Sequence, residues 1–340
     1  METRIYRVSP KHPAIWKLRE CAEILRNGGL VAFPTETVYG LGACAFLENA
    51  VKRIFEVKGR PADNPLIVHI SEFSQMSSVV AHLPEKAKML AKKFWPGPLT
   101  MVLPKNKSIP YAVTANLESV GVRMPSHPVA KKLIELAGAV AAPSANISGK
   151  VSPTKGEHVI ADLHGKIEAI IDAGSTVIGL ESTVVSLLEE VPVLLRPGAV
   201  TPEMLREVIG EIEIHPVAKA EIEFEQVLSP GMKYRHYSPD AKVVLVEKQA
   251  SQSIFEIFNR FRKKGTKVCL LLFKDSGGRE KDVYCGSDGT KESYARNLFR
   301  LLRDFDRKGY EVIVVEGVDE EGIGLAIMNR LRKAASEIVS

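Results

Sequence analysis

The sequence predicts an α/β protein of two unequal domains: an open mixed sheet over residues 1–209 and a small, doubly wound parallel sheet over residues 241–340. Three observations carry this. At 340 residues the chain is long for a single core. Short strand-like and helix-like runs alternate irregularly as far as Ile209, and regularly from Val243 onward. Between them, residues 210–240 show no sustained helical face, gather prolines and swing from acidic to basic, as an interdomain linker or strap does.

The elements follow in order. Pro13 to Asn27 has apolar residues at helical spacing and stops at Gly28-Gly29. Leu30 to Phe33 reads as a buried strand that breaks into Pro34-Thr35-Glu36-Thr37-Val38-Tyr39-Gly40-Leu41-Gly42. A short helix, Asn49 to Val57, leads into Lys58-Gly59-Arg60-Pro61-Ala62-Asp63-Asn64-Pro65-Leu66. Strand Leu66 to Ile70 and helix Pro84 to Phe94 come next, then strands Leu99 to Leu103 and Val120 to Met124, then helix Val129 to Ala137. Ala139 to Ala142 is a small-residue strand opening into Pro143-Ser144-Ala145-Asn146-Ile147-Ser148-Gly149. Helix Glu157 to Leu163, strands Ala169 to Asp172, Ser182 to Leu187 and Val193 to Leu195, and helix Pro202 to Ile209 complete the first domain. In the second, strands Val243 to Val246, Val268 to Leu272 and Val312 to Val315 alternate with helices Ser253 to Lys264, Glu292 to Arg307 and Leu325 to Ser336. Gly322-Ile323-Gly324 opens the last helix, but Ile327 leaves the dinucleotide-binding glycine pattern incomplete.

Composition narrows the function. The chain is 45% apolar and 26% charged with a formal net charge of +5, ordinary for a soluble protein and mildly favourable to anionic ligands. The four cysteines show no ligand spacing, so reduced thiols and a cytoplasmic setting are expected. Neither a signal peptide nor an apolar run of membrane-spanning length is read.

Lys58 and Arg60 stand two positions apart, so in extended backbone both side chains leave the same side. Alone, such a pair reads as solvated surface. Polar clusters recur, however, where strands end: Thr35/Thr37, Arg123, Ser144/Asn146 and Ser182/Thr183. In open α/β sheets ligands collect in the crevice at strand ends, so these clusters are expected to converge.

The motifs PTETVYGLG, KGRPADNPL, WPGPLT, VGVRMPSHP, APSANISG, ESTVV and RPGAV, in that order, resemble the YrdC-type threonylcarbamoyl-AMP synthase family. SPGMKYRHYSP and GLAIMNRLRKAA resemble its longer two-domain form, with a Rossmann-like C-terminal domain, so the resemblance spans essentially the whole chain. It implies a twisted open sheet with a basic concave face. It also implies synthesis of L-threonylcarbamoyladenylate from L-threonine, bicarbonate and ATP, with pyrophosphate and water released. A separate transferase complex then carries the threonylcarbamoyl group to the adenosine beside the anticodon of tRNA. Lys58, Arg60, Ser144 and Asn146 match the family's catalytic signature and are implied to hold phosphate and carbamoyl or carboxylate oxygens. The same resemblance puts Thr37, His69, Arg123, Pro143 and Thr183 around threonine, with Arg123 on its carboxylate. It gives ATP the residues Arg60, Asn64, Ser119, Ser144, Ala145, Ser152, Arg196 and His236.

The residue types suit the chemistry. Joining an amino acid, bicarbonate and a triphosphate needs no protein nucleophile, but it crowds anions that only fixed cations and N–H donors can hold together. Arginine gives bidentate contacts and lysine a point charge, with Mg²⁺ expected to accompany ATP. His69 and Thr183 are the candidates for reading the threonine hydroxyl. Lys233 to Tyr237 is read as a strap over the pocket, shielding an adenylate that hydrolyses easily. The partner expectations include contact with tRNA and a monomeric chain. The competing reading is an RNA-binding module on the basic face, weakened by an aromatic content of only 6%. A carbamoyl-group hydrolase or transferase is disfavoured for lack of an obvious zinc cluster or an activated Cys or Ser.

Overall fold

The computed structural model describes residues 1–220, 237–275 and 281–340. The chain opens with β1 (Arg4–Arg7) and α1 (Ile15–Arg26). Leu18, Cys21, Ala22 and Leu25 of α1 are buried at the spacing of one helical face. There follow β2 (Val31–Pro34), β3 (Tyr39–Cys44), α2 (Glu48–Lys58), β4 (Ile67–His69), α3 (Met76–Val79), α4 (Glu85–Phe94) and β5 (Leu99–Pro104). Next are α5 (Tyr111–Thr114), β6 (Ser119–Arg123), α6 (Pro128–Ala137), β7 (Val140–Ala142), α7 (Gly156–Leu163), β8 (Ala169–Asp172) and β9 (Thr183–Ser186). β10 (Val193–Arg196), α8 (Pro202–Ile209), β11 (Glu213–Ile214) and α9 (Pro216–Lys219) complete this part.

Among the described residues, eleven strands form one mixed sheet in the order β1-β8-β2-β3-β7-β4-β6-β5-β9-β10-β11. Its two faces are separate cores. Val31 and Phe33 of β2 pack with α1 and α6, whereas Ala32 faces a larger cluster that includes Val51 and Ile54 of α2 and Leu90 of α4.

The second sheet is built from β12 (Lys242–Val246), β13 (Val268–Leu272), β14 (Val283–Cys285), β15 (Val312–Glu316) and β16 (Glu337–Val339), with α10 (Ile254–Lys263), α11 (Lys291–Arg307) and α12 (Gly324–Ala334) between them. Its order is β14-β13-β15-β12-β16, and every pairing is parallel. Ile313 and Val315 face α11 and α12, and Val312 and Val314 face α10, so both faces are covered as a parallel sheet requires.

Two expectations change. The run after Pro34 is not only a break, because Tyr39–Cys44 forms β3. Gly42 permits it: a Cβ there would lie 2.8 Å from the Phe33 ring and 2.8 Å from Val140, so only glycine allows this approach. The linker also starts later than residue 210, since β11 pairs with β10 and α9 follows it. Of the strap read from Lys233 to Tyr237, Lys233 to His236 lie outside the described residues and Tyr237 lies within them.

The second domain packs against the first. Val38, Val151 and Leu180 share one apolar cluster with Leu298 and Phe299 of α11. Arg303 of α11 donates from Nε to Val151 O at 3.0 Å and from Nη2 to Asp162 at 2.6 Å. No helix among the described residues is long and apolar enough to cross a membrane.

Candidate active site

The strand register sets the first two site residues. β4 and β6 run parallel with His69 opposite Arg123, so both emerge side by side at the C-terminal ends of their strands. Arg123 is only 4% exposed and its guanidinium is held on three sides. Nη2 donates to Glu36 Oε1 at 2.6 Å, Nη1 to Thr37 Oγ1 at 2.9 Å and Nε to Gly97 O at 3.3 Å. Two N–H groups remain for a ligand carboxylate. Glu36, which the sequence reading passed over, is thus the counter-ion that makes a buried Arg123 tolerable. The signal was a lone acid inside an otherwise apolar or hydroxylated motif.

His69 is buried, and its Nδ1 lies 3.1 Å from Ile67 O, so Nδ1 carries the proton and Nε2 is left as an acceptor. Burial first, and then the charge of Arg123, hold its pKa down at about 3. His158 is depressed to about 4, again mainly by burial. The unfolded chain therefore binds protons that the native chain refuses. Stability should fall as pH drops from about 6.5 toward 4, and His69→Gln should flatten that slope by at most ~1.4 kcal/mol per pH unit. Chemical denaturation across pH 4–7 reads this directly, and an unchanged slope would contradict it.

Lys58 and Arg60 behave differently from the extended reading. Lys58 is the last residue of α2, and Gly59 in the left-handed region (φ 59°) ends the helix. The two side chains consequently part. Lys58 is buried, and its ammonium donates to the main-chain carbonyls of Ser144 and Asn146. It clamps the Ser144–Asn146 loop to the end of α2 instead of facing the cavity. Burial, then Arg60, push its pKa well below the ordinary lysine value. Arg60, half-buried, turns to the cavity; its Nη2 is pinned by Asn64 O at 3.0 Å and Pro65 O at 3.1 Å. Burial lowers its pKa to about 10, which leaves it charged.

One cavity gathers Thr37, His69, Arg60, Arg123, Pro143, Ser144, Asn146, Ser152 and Arg196, nine of the residues expected to converge. Lys58, Asn64, Ser119, Ala145 and Thr183 do not line it, and His236 lies outside the described residues. Ser119 sits at the opposite end of β6 from Arg123. Thr183 spends its hydroxyl on Val200, donating to O at 2.7 Å and accepting from N at 3.1 Å. Its neighbour Ser182 reaches the wall instead, between Thr100 Oγ1 at 2.8 Å and Arg196 Nη2 at 3.1 Å.

Two further features bear on ligands. Arg60 Nε, Asn146 Oδ1, and both Nδ2 and Oδ1 of Asn64 are buried polar atoms without a partner among the described residues. Such orphans are rare in folded proteins, and of these Arg60 and Asn146 line the cavity. Secondly, the described lining carries Arg60, Arg123, Lys150 and Arg196 against a single carboxylate, Glu181. No cluster of three or more His, Cys, Asp or Glu among the described residues is placed to hold a metal.

Tyr237 closes one side. It is buried with φ 63°, and its ring stacks on Phe299 at 5.3 Å. The cavity wall therefore includes a residue held in place by the second domain.

Comparison with known proteins agrees with this architecture. The Sua5–YciO–YrdC family model, described as "Telomere recombination", matches residues 23–198, and the model described as "Threonylcarbamoyl-AMP synthase, C-terminal domain" matches residues 200–336. The threonylcarbamoyl-AMP synthase of Pyrococcus abyssi is 55% identical over 94% of both chains. That of Bacillus subtilis is 47% identical over 94% of this chain and 93% of its own. The crystal structure of P. abyssi Sua5 complexed with L-threonine superposes with a TM-score of 0.94 at 52% identity, covering 99% of each chain. The chain belongs to the two-domain, Sua5-type threonylcarbamoyl-AMP synthase family.

Proposed function

We propose that this chain condenses L-threonine, bicarbonate and ATP into L-threonylcarbamoyladenylate, releasing pyrophosphate and water. The observation that carries the reading is the cavity itself: Arg60, Arg123, Lys150 and Arg196 line it against one carboxylate, beside the Ser144–Asn146 loop.

In this reading the free N–H groups of Arg123 take the threonine carboxylate, oriented by Glu36 and Thr37. The neutral Nε2 of His69 accepts from the threonine hydroxyl, with Ser182 opposite in place of Thr183. A valine-like side chain would leave that acceptor unpaired, which disfavours it. The threonine amine attacks carbon dioxide or bicarbonate to form a carbamate, and the carbamate oxygen attacks the α-phosphorus. Arg60, Arg196, Ser144 and Asn146 hold the phosphates and offset the charge that builds there. Lys58 serves by fixing the Ser144–Asn146 loop at which these groups sit. Asn64, Ser119, Ala145, Ser152 and His236 remain proposed nucleotide contacts from the family resemblance. The described residues form no metal-ligand cluster, so the proposed Mg²⁺ would ride on the triphosphate, and no step here is routed through it.

The product would pass to a separate transferase complex that modifies tRNA. Contact with tRNA or with that complex, a monomeric state and a cytoplasmic setting are proposed on the same resemblance. RNA binding as the primary role is less well supported, because Arg123 and Arg196 are only 4% and 6% exposed, enclosed in a cavity instead of displayed on a face that an RNA backbone could lie along. The test is pyrophosphate release by the purified chain. Release that requires threonine and bicarbonate together supports the synthase; salt-sensitive RNA affinity without such turnover would sink it.

A further inference from the structure

Glu181 is out of character in this cavity. A carboxylate on a wall built for a triphosphate repels the ligand, yet Glu181 lines the cavity and is 7% exposed. Burial alone would push its pKa up, but Arg330, then Arg196, and the hydroxyl of Ser152 outweigh it, so it stays ionised below its ordinary value.

Arg330 comes from α12 of the second domain and is 1% exposed. Its Nε donates to Glu181 Oε2 at 3.0 Å, and Nη1 donates to Pro197 O at 2.7 Å and Asn329 Oδ1 at 3.1 Å. The guanidinium carbon stands 5.6 Å over the ring of Tyr237, the cavity residue stacked on Phe299. The other oxygen of Glu181 accepts from Ser152 Oγ. Glu181 is thus held between Ser152 of the first domain and Arg330 of the second. Arg196, on the same cavity wall, donates from Nε to Ser182 O at 3.0 Å and from Nη2 to Ser182 Oγ at 3.1 Å.

We infer that Arg330 is a positioning residue that holds the Glu181 carboxylate off the arginines of the phosphate-binding wall, so that docking of the second domain sets the charge of the first domain's ATP site. The inference rests on the synthase reading for the identity of the anion. Without Arg330 the carboxylate is left buried on the same cavity wall as Arg196 and pairs with it in competition with phosphate. α12 is buried all round from Gly324 to Leu331, so a charge at Arg330 requires a partner wherever it points.

The experiment is a double-mutant cycle on the full chain, with folding checked by thermal melting. Arg330→Met is expected to raise the KM for ATP at least about tenfold while changing kcat less. Glu181→Gln/Arg330→Met, which keeps the acceptor for Ser152 but removes the freed charge, is expected to bring KM back to within about threefold of the parent. A double variant whose KM stays raised overturns the inference, because lost packing alone is blind to the charge at position 181. If Arg330→Met fails to fold, Glu181→Gln alone decides: a lower KM for ATP supports the charge assignment, and a higher one overturns it. Calorimetric titration of ATP without threonine separates the two readings. A parent chain that binds ATP but releases no pyrophosphate refutes the synthase reading, whereas failure of the double variant to recover affinity refutes the role of Arg330.

Discussion

Arg60→Ala is expected to lower threonine- and bicarbonate-dependent pyrophosphate release by about 10²–10³-fold while leaving the fold intact. The side chain is aimed before any ligand arrives. Gly59 turns the chain off α2, the carbonyls of Asn64 and Pro65 fix one arm of the guanidinium, and Nε is left buried without a partner. A lysine cannot reproduce a planar fork, so Arg60→Lys should recover little. Lys58→Ala should show the opposite balance. It removes the donor to two buried carbonyls, so a loss of ~1–3 kcal/mol in unfolding free energy should accompany its loss of activity. Steady-state assays beside denaturation curves separate the two. An Arg60→Ala enzyme retaining half its activity would remove Arg60 from the phosphate site.

Ending the chain after Ala220 should leave a folded first domain with activity reduced by about 10²-fold or more. Both cores of the large sheet are built almost wholly from residues before that point, and β11 and α9 remain to finish its edge. What disappears is one side of the cavity: Tyr237, with the Phe299 and Arg330 that hold it, and the ion pair that restrains Glu181. The cut also exposes Val38, Val151 and Leu180 and breaks the hydrogen bond from Arg296 Nε to Val177 O, which costs solubility before it costs the fold. Cooperative melting together with strongly reduced pyrophosphate release is the expected pair of results. Full activity in the truncated chain would mean that the second domain contributes nothing to the site.

Much of the fold was legible because local pattern and tertiary use coincide. The apolar stripe of α1, the strand runs at Val31, Val140 and Val243, and the helix stops at Gly28, Gly59 and Gly138 all follow from periodicity and capping chemistry. The elements missed were those whose reasons are not local. β3 carries two glycines, which read as a turn until Phe33 and Val140 are seen to need the space. β11, β14 and β16 have two or three residues each and exist by pairing at sheet edges.

The cavity divides along the same line. The sequence alone determined which residue types were available and that strand ends would gather them: Thr37, Arg123, Ser144, Asn146 and Ser182 do share one cavity, with His69 and Arg196, which the family resemblance supplied. Only the tertiary structure decided where each side chain is spent. Two residues apart meant a shared side in extended chain, but a helix ending at Lys58 sent its ammonium to two carbonyls and Arg60 to the cavity. Thr183 lost its hydroxyl to Val200, and Glu36 and Glu181 acquired their arginines from β6 and from α12. Hydrogen bonds and buried charges are settled by partners distant in sequence, whereas helix and strand periodicity is written within a few residues.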